Sequence, residues 1–178
     1  MIMITKIQEI PITEQSYPFT SAARYIDLEA YGYEEKEYYI DGTANVYQSV
    51  GNTGEVEVRT QDVPYRNRIV LRMPKNPEKA SGNVVVEIIN PTSFMEIERM
   101  WILGYEKFLR DGDIYVGITS KPNTIAKMAE FDQERYGCLL WPNPTRDVPF
   151  SFIMEEILAN GILPDIKIDY EPGLFWDM

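Results

Sequence analysis

Two short stretches combine residue types that could do covalent chemistry. Ser120 and Lys121 are adjacent at the end of the apolar run IYVGIT, and open α/β sheets bind ligands at the carboxyl ends of such strands. A lysine can serve as base for a serine. Neighbours on an extended strand project to opposite sides, however, so Lys121 is badly placed to take the proton of Ser120. The second stretch, Asn90, Pro91, Thr92 and Ser93, follows the run NVVVEIIN. It reads as a strand exit leading into a helix, with Ser93 as N-cap and Glu96 three residues later completing a capping box.

The remaining candidates read as structural. The chain has no histidine, which removes the commonest general base near neutral pH and the commonest metal ligand. Cys138 is the single cysteine; with no imidazole to activate it, it is expected to behave as a small buried hydrophobe. Glu96 and Glu98 are too close to share a helix face, as are Glu155 and Glu156, and both pairs are read as solvated helix surface. Asp111 and Asp113 flank a glycine without the further oxygen ligands of a calcium loop, and they read as a turn. Trp101, Trp141 and Trp176 are expected to fill a core or an interface rather than line a pocket. No metal site and no cofactor is implied.

The balance of 17 basic against 28 acidic residues, a formal charge of -11, argues against nucleic acid and anionic lipid as partners. No apolar run approaches the roughly 20 residues that cross a bilayer, and no secretory leader pattern opens the chain. The default expectation is a cytoplasmic protein with no membrane association. At 178 residues the length suits a single domain spanning 1–178.

The elements that would hold these residues follow from periodicity. A strand is expected at 4–12, and a bulged strand or hairpin at 37–47 around Asp41-Gly42. EVEVRT at 55–60 and NRIVLRM at 67–73 alternate as half-solvated antiparallel strands with their charges facing water. A surface turn is expected at 74–82. NVVVEIIN at 83–90 has the composition of a strand buried on both faces in a parallel sheet, so Val84, Val85, Val86, Ile88 and Ile89 are expected to be buried. A helix is expected from about Ser93 to Arg110, stopped by Asp111-Gly112-Asp113, and a strand at 114–119 would close a parallel βαβ crossover. A poorly periodic segment then leads to an amphipathic helix at 150–160, ended by Gly161, and an irregular tail.

Several stretches resemble, in order, a family of large esterase-like proteins described as alpha/beta hydrolase domain-containing. They are Gly42-Thr43-Ala44-Asn45-Val46-Tyr47, Val56-Glu57-Val58-Arg59-Thr60, Val84-Val85-Val86-Glu87 and Asn90-Pro91-Thr92-Ser93. Val116 to Pro122 (VGITSKP), Phe131-Asp132 to Arg135-Tyr136, and Gly173-Leu174-Phe175-Trp176-Asp177 belong with them. The resemblance implies an α/β-hydrolase fold with a serine on a tight strand-to-helix turn, then an acid, then a histidine. It also implies that Asn90 to Ser93 lie where such enzymes place one oxyanion-hole N–H. This chain holds no Gly-x-Ser-x-Gly and no histidine, so none of its residues is assigned a catalytic role and it is expected to be inactive alone.

The fold class expected is α/β: the N-terminal part of an α/β-hydrolase-like sheet, antiparallel strands followed by a parallel βαβ unit, incomplete at the point where another parallel strand is expected. The functional expectation is part of a carboxylic-ester hydrolase. The alternatives are a non-catalytic binding or assembly module and an inactive remnant. In that fold the strand at 83–90 has neighbours on both sides, and here it lacks one. Self-association, or capture of a complementary chain, is therefore expected through the edge from Val84 to Asn90.

Overall fold

The computed structural model describes residues 3–92 and 95–141. Its strands are β1 (Met3–Ile10), β2 (Tyr33–Ser49), β3 (Val56–Pro74), β4 (Val84–Ile88) and β5 (Ile114–Ile118). The helices are α1 (Arg99–Asp111), α2 (Pro122–Phe131) and α3 (Gln133–Tyr136). One five-stranded sheet runs in the order β1-β2-β3-β5-β4, antiparallel throughout except for the parallel pair β4–β5. The sheet is thus mixed, with its antiparallel part first and a β4-α1-β5 crossover after it.

The antiparallel part is longer and more continuous than its sequence suggests. Asp41-Gly42 makes no turn: β2 runs straight through it, and the irregularity lies opposite, between Ile4 and Lys6 of β1. Gly42 is needed for close approach, because a Cβ there would lie 2.2 Å from the Met3 carbonyl oxygen and 2.7 Å from the Tyr65 hydroxyl. The segments 55–60 and 67–73 belong to the single strand β3, which carries Pro64 and a left-handed Asp62 (φ 53°) near its register shifts with β2. Aspartate tolerates that conformation, and the Asp62 N–H donates to Asn45 Oδ1 at 3.2 Å. The bend absorbs what periodicity reads as two strands.

Residue alternation along β2, β3, β5 and β4 puts Tyr33, Glu35, Glu37, Tyr39, Arg68, Val70, Arg72, Tyr115, Gly117, Val85 and Glu87 on one face. All the described helices lie there. Trp101, Phe108 and Leu109 of α1 pack with Tyr33, Val70, Ile89 and Tyr115; Ile125, Met128 and Ala129 of α2 and Tyr136 of α3 pack with Ile10 and Tyr39. The periodic trio Ile125, Met128, Ala129 and the proline at the start of α2 were signals for a helix in a stretch that otherwise reads as irregular.

Burial of the β4 run differs from expectation. The parallel ladder Val84↔Ile114 to Ile88↔Ile118 forms and Ile89 is buried, but Val84, Val86 and Ile88 are 55%, 55% and 73% exposed and Val85 is only half-buried. The reason is that the described helices cover one face only, and alternate residues of β4 point away from them. Among the described residues β4 is the last strand of the sheet, paired on one side. The expected helix at 150–160 and the tail after it lie outside the described residues.

Helix α1 begins at Arg99, not near Ser93, and no capping box forms through Glu96. Its first amides are served from the sheet instead: Glu87 of β4 accepts from the N–H groups of Met100 (3.0 Å) and Trp101 (3.3 Å). A carboxylate at that position also faces the positive end of the helix dipole. The C-terminal stop is the expected one, with Gly112 left-handed (φ 81°) and its N–H on the Phe108 carbonyl.

Candidate functional site

The two stretches singled out by residue type meet at the carboxyl end of the parallel pair. Ser120 Oγ donates to the Ile89 carbonyl at 2.5 Å, and the Ile89 N–H donates to the Ile118 carbonyl at 2.9 Å, so the ends of β4 and β5 are laced together just before Asn90. Asn90 pairs with Ile97 in both directions, at 3.2 and 2.8 Å, which closes the neck of the 90–97 loop. The Asn90 side chain accepts from the Thr92 N–H at 2.9 Å and from the Thr92 hydroxyl. Pro91 lies within this turn; Ser93 is outside the described residues.

Among the described residues neither stretch holds an activated nucleophile. The hydroxyl of Ser120 is committed to a carbonyl, and Lys121 precedes α2 in extended conformation (φ -142°) with its carbonyl accepting from Thr124. Ser16 and Ser21 do donate to carboxylates, Asp132 and Glu35, each at 2.5 Å. A carboxylate is a far weaker base than imidazole toward a serine hydroxyl, and both carboxylates are held by further donors, Glu35 by Arg72 at 2.8 Å and Asp132 by the Arg135 N–H at 3.0 Å, as structural fastenings are. These are fastenings of the 11–22 arm.

The residues that residue-type reasoning missed lie beneath the 90–97 loop. Glu96 and Glu98 are not on a solvated helix face: both are buried, in the extended approach to α1, where spacing of two puts side chains on one side. Likewise Arg68 and Arg72, whose alternation reads as a water-facing strand edge, are fully buried on the helix-covered face. Arg68 Nη1 donates to Glu96 at 2.7 Å while its Nε donates to Glu37. Arg72 donates to Glu35 at 2.8 Å and to Glu98 at 2.9 Å. Arg135 of α3 reaches the other oxygen of Glu37 at 2.6 Å, and the hydroxyls of Tyr136 and Thr119 donate to Glu37 (2.7 Å) and Glu96 (2.6 Å). The only advance signal was like spacing: acids at 35 and 37 and at 96 and 98, and arginines at 68 and 72, each set able to share one face.

The electrostatics follow from burial and pairing. Burial works against charge on Arg68, yet Glu37 and Glu96 beside it hold the guanidinium well above the usual arginine range. Glu98 goes the other way: burial pushes its carboxyl up to about 7, against the attraction of Arg72 and Arg68 and with the neighbouring Glu96 adding to the rise. Tyr115 and Tyr136 are raised chiefly by burial. No group of three or more histidine, cysteine or acidic residues with metal-binding geometry occurs among the described residues. Cys138, expected to be buried, is exposed, with its thiol 3.7 Å from the Arg135 carbonyl. The packing role falls to its neighbour Leu139, which is 1% exposed.

The arrangement is a sheet end with two laced loops, one of them anchored from below by two buried arginines. A family model described as an alpha/beta hydrolase domain matches residues 7–178, and the chain belongs to that family. No curated protein and no solved structure matches it. Among the described residues no helix is long and apolar enough to cross a membrane.

Proposed function

We propose that this chain forms the N-terminal part of a carboxylic-ester hydrolase, and that the nucleophile strand, acid and histidine come from polypeptide that pairs with β4. The observation that carries this reading is the state of β4: the end strand of the described sheet, with Val84, Val86 and Ile88 turned outward and its single charge, Glu87, turned inward. Edge strands of stable proteins are usually short of apolar surface or protected by lysine, proline or a bulge, and this one has none of these between Val84 and Asn90. A strand added there would sit beside the Asn90–Thr92 turn, where a main-chain N–H could serve a developing oxyanion.

Light scattering over a dilution series tests the edge. The chain is expected to self-associate when no complementary strand is supplied, and Val86→Lys is expected to shift it toward a 20.6 kDa monomer; a sharp monomer at every concentration for the unsubstituted chain contradicts the reading. The chemistry is tested separately. No turnover of small activated esters above a matched blank is expected from the chain alone, and a rate that tracks protein concentration and is abolished by a serine-directed covalent inhibitor would refute it.

A further inference from the structure

The hairpin of β2 and β3 runs past the rest of the sheet. Strand β1 pairs with β2 only as far as Thr43, and β5 pairs with β3 only from Ile69 to Arg72. Among the described residues, 44–49 and 56–63 therefore pair with each other alone, as a two-stranded arm. Its two faces are unlike. On one, Tyr47 stands opposite Val58 and Ser49 opposite Val56. On the other, Gln48 stands opposite Glu57, and the two are joined by a 2.7 Å hydrogen bond. Val56 is 52% exposed and Val58 and Tyr47 are each 40% exposed, and no residue of the arm belongs to either core. A two-stranded ribbon is marginal in water unless its apolar face packs on something.

The described residues end at the base of this arm. Arg66 and Leu140 exchange both main-chain hydrogen bonds, at 2.8 and 3.0 Å, as an antiparallel bridge, and the Trp141 indole N–H donates to Asn67 at 3.3 Å. Antiparallel pairing means that the chain after Leu140 heads back along β3, toward the arm and away from β5 and β4. Continued in register it would set Pro142 opposite Pro64. Neither has an N–H to donate, so the ladder cannot extend there. A third strand is thus disfavoured, and side-chain packing is the remaining way to cover the arm. Residues 150–160, FSFIMEEILAN, have the side chains for it. At helical spacing Phe150, Ile153, Met154, Ile157 and Leu158 fall on one side, with Ser151, Glu155 and Glu156 on the other. Such a helix is about 16 Å long, close to the length of strand from Val56 to Thr60. The stretch from Trp141 to Phe150 spans up to about 30 Å when extended, which reaches Val58, about 26 Å along β3 from Arg66.

We propose that residues 150–160 fold as a helix against the Tyr47, Val56 and Val58 face of the arm, which is thereby the docking platform for the chain's own C-terminal segment. Strand β4 and its outward face take no part in this contact, which holds whether or not the ester-hydrolase reading is right.

Thiol cross-linking in the full chain reads the contact. In a Cys138→Ala background, Val58→Cys and Ile157→Cys are combined and treated with a short bismaleimide at high dilution, and the intramolecular product is followed by peptide mapping. Two further pairs test the face and the place: Glu57→Cys with Ile157→Cys, and Ile88→Cys with Ile157→Cys. The first pair is expected to link at least about tenfold faster than either of these, as two groups held together do. Equal rates, a faster link to position 88, or a link formed only between two chains would overturn the assignment. Because a substituted chain can misfold, the contact is also read in the unsubstituted, methyl-labelled protein. Nuclear Overhauser effects are expected there between the methyl groups of Val58 and those of Ile157 or Leu158, and their absence would overturn it as well.

Discussion

On one face of the sheet Glu37, Arg68, Arg72 and Glu87 lie under helices with at most 6% exposure, while on the other Val84, Val86 and Ile88 stand more than half exposed. The charged side chains are inside because their partners are inside with them: each arginine is held by two carboxylates drawn from different elements. The apolar side chains are outside because no described element covers them. The contrast shows that burial here is set by what packs above a residue, and that polarity only decides what must accompany it. It also separates two kinds of dependence, since the ionic face is held by the chain's own described elements, whereas the apolar face would depend on the strand that the proposed function adds at β4.

The sharpest way to break the contrast is to remove an inward charge. Arg68→Ala would leave Glu37 and Glu96 without their shared cation, and loss of one partner of a buried pair costs about 3–5 kcal/mol. That is a large part of the roughly 5–15 kcal/mol available to a domain, so the urea midpoint is expected to collapse; a midpoint near that of the unsubstituted chain would mean that the network is dispensable. Replacing the whole set by apolar residues of similar volume is a different experiment and would not carry this penalty.

A smaller effect should be read through pH. Folding raises the Glu98 carboxyl from 4.5 to about 7, so the folded state binds the proton more tightly than the unfolded one. The resulting stability is fully present below about pH 4.5 and is lost as pH rises through about 7, a change on the order of 3 kcal/mol. Glu98→Gln removes this titration. Variant and parent are expected to be similar in stability near pH 4.5, with the variant the more stable at pH 8; parallel stability profiles would show that Glu98 is not the titrating group. Asp113, held at about 2 chiefly by Ser81 and Lys107, contributes with the opposite sign and only at lower pH, where its loss affects both proteins alike.

The smallest effect is expected on the open face. Ile88, 73% exposed, should tolerate change to threonine with a shift within about 0.5 kcal/mol in the monomeric chain, measured by thermal melting at the dilute end of the concentration series. A cost of several times that would mean that Ile88 is covered in solution.

Much of the framework was legible in the order of residues. The β4-α1-β5 crossover could be read because β-branched runs flank a segment of helical spacing, and the stop at Gly112 because only glycine enters the left-handed region without cost. The ordered stretches from Gly42 to Asp177 carried the family, and the missing histidine bears on what chemistry the chain can do, whatever its fold. These are local properties, or presence and absence. What only the tertiary structure decided was which side of each strand is covered, and therefore that Arg68, Arg72, Glu96 and Glu98 belong together in the interior. Alternation along a strand divides its residues into two sets but does not say which set faces the core. That assignment depends on where α1, α2 and α3 pack, and the ion pairs that permit it join residues 26 to 98 positions apart.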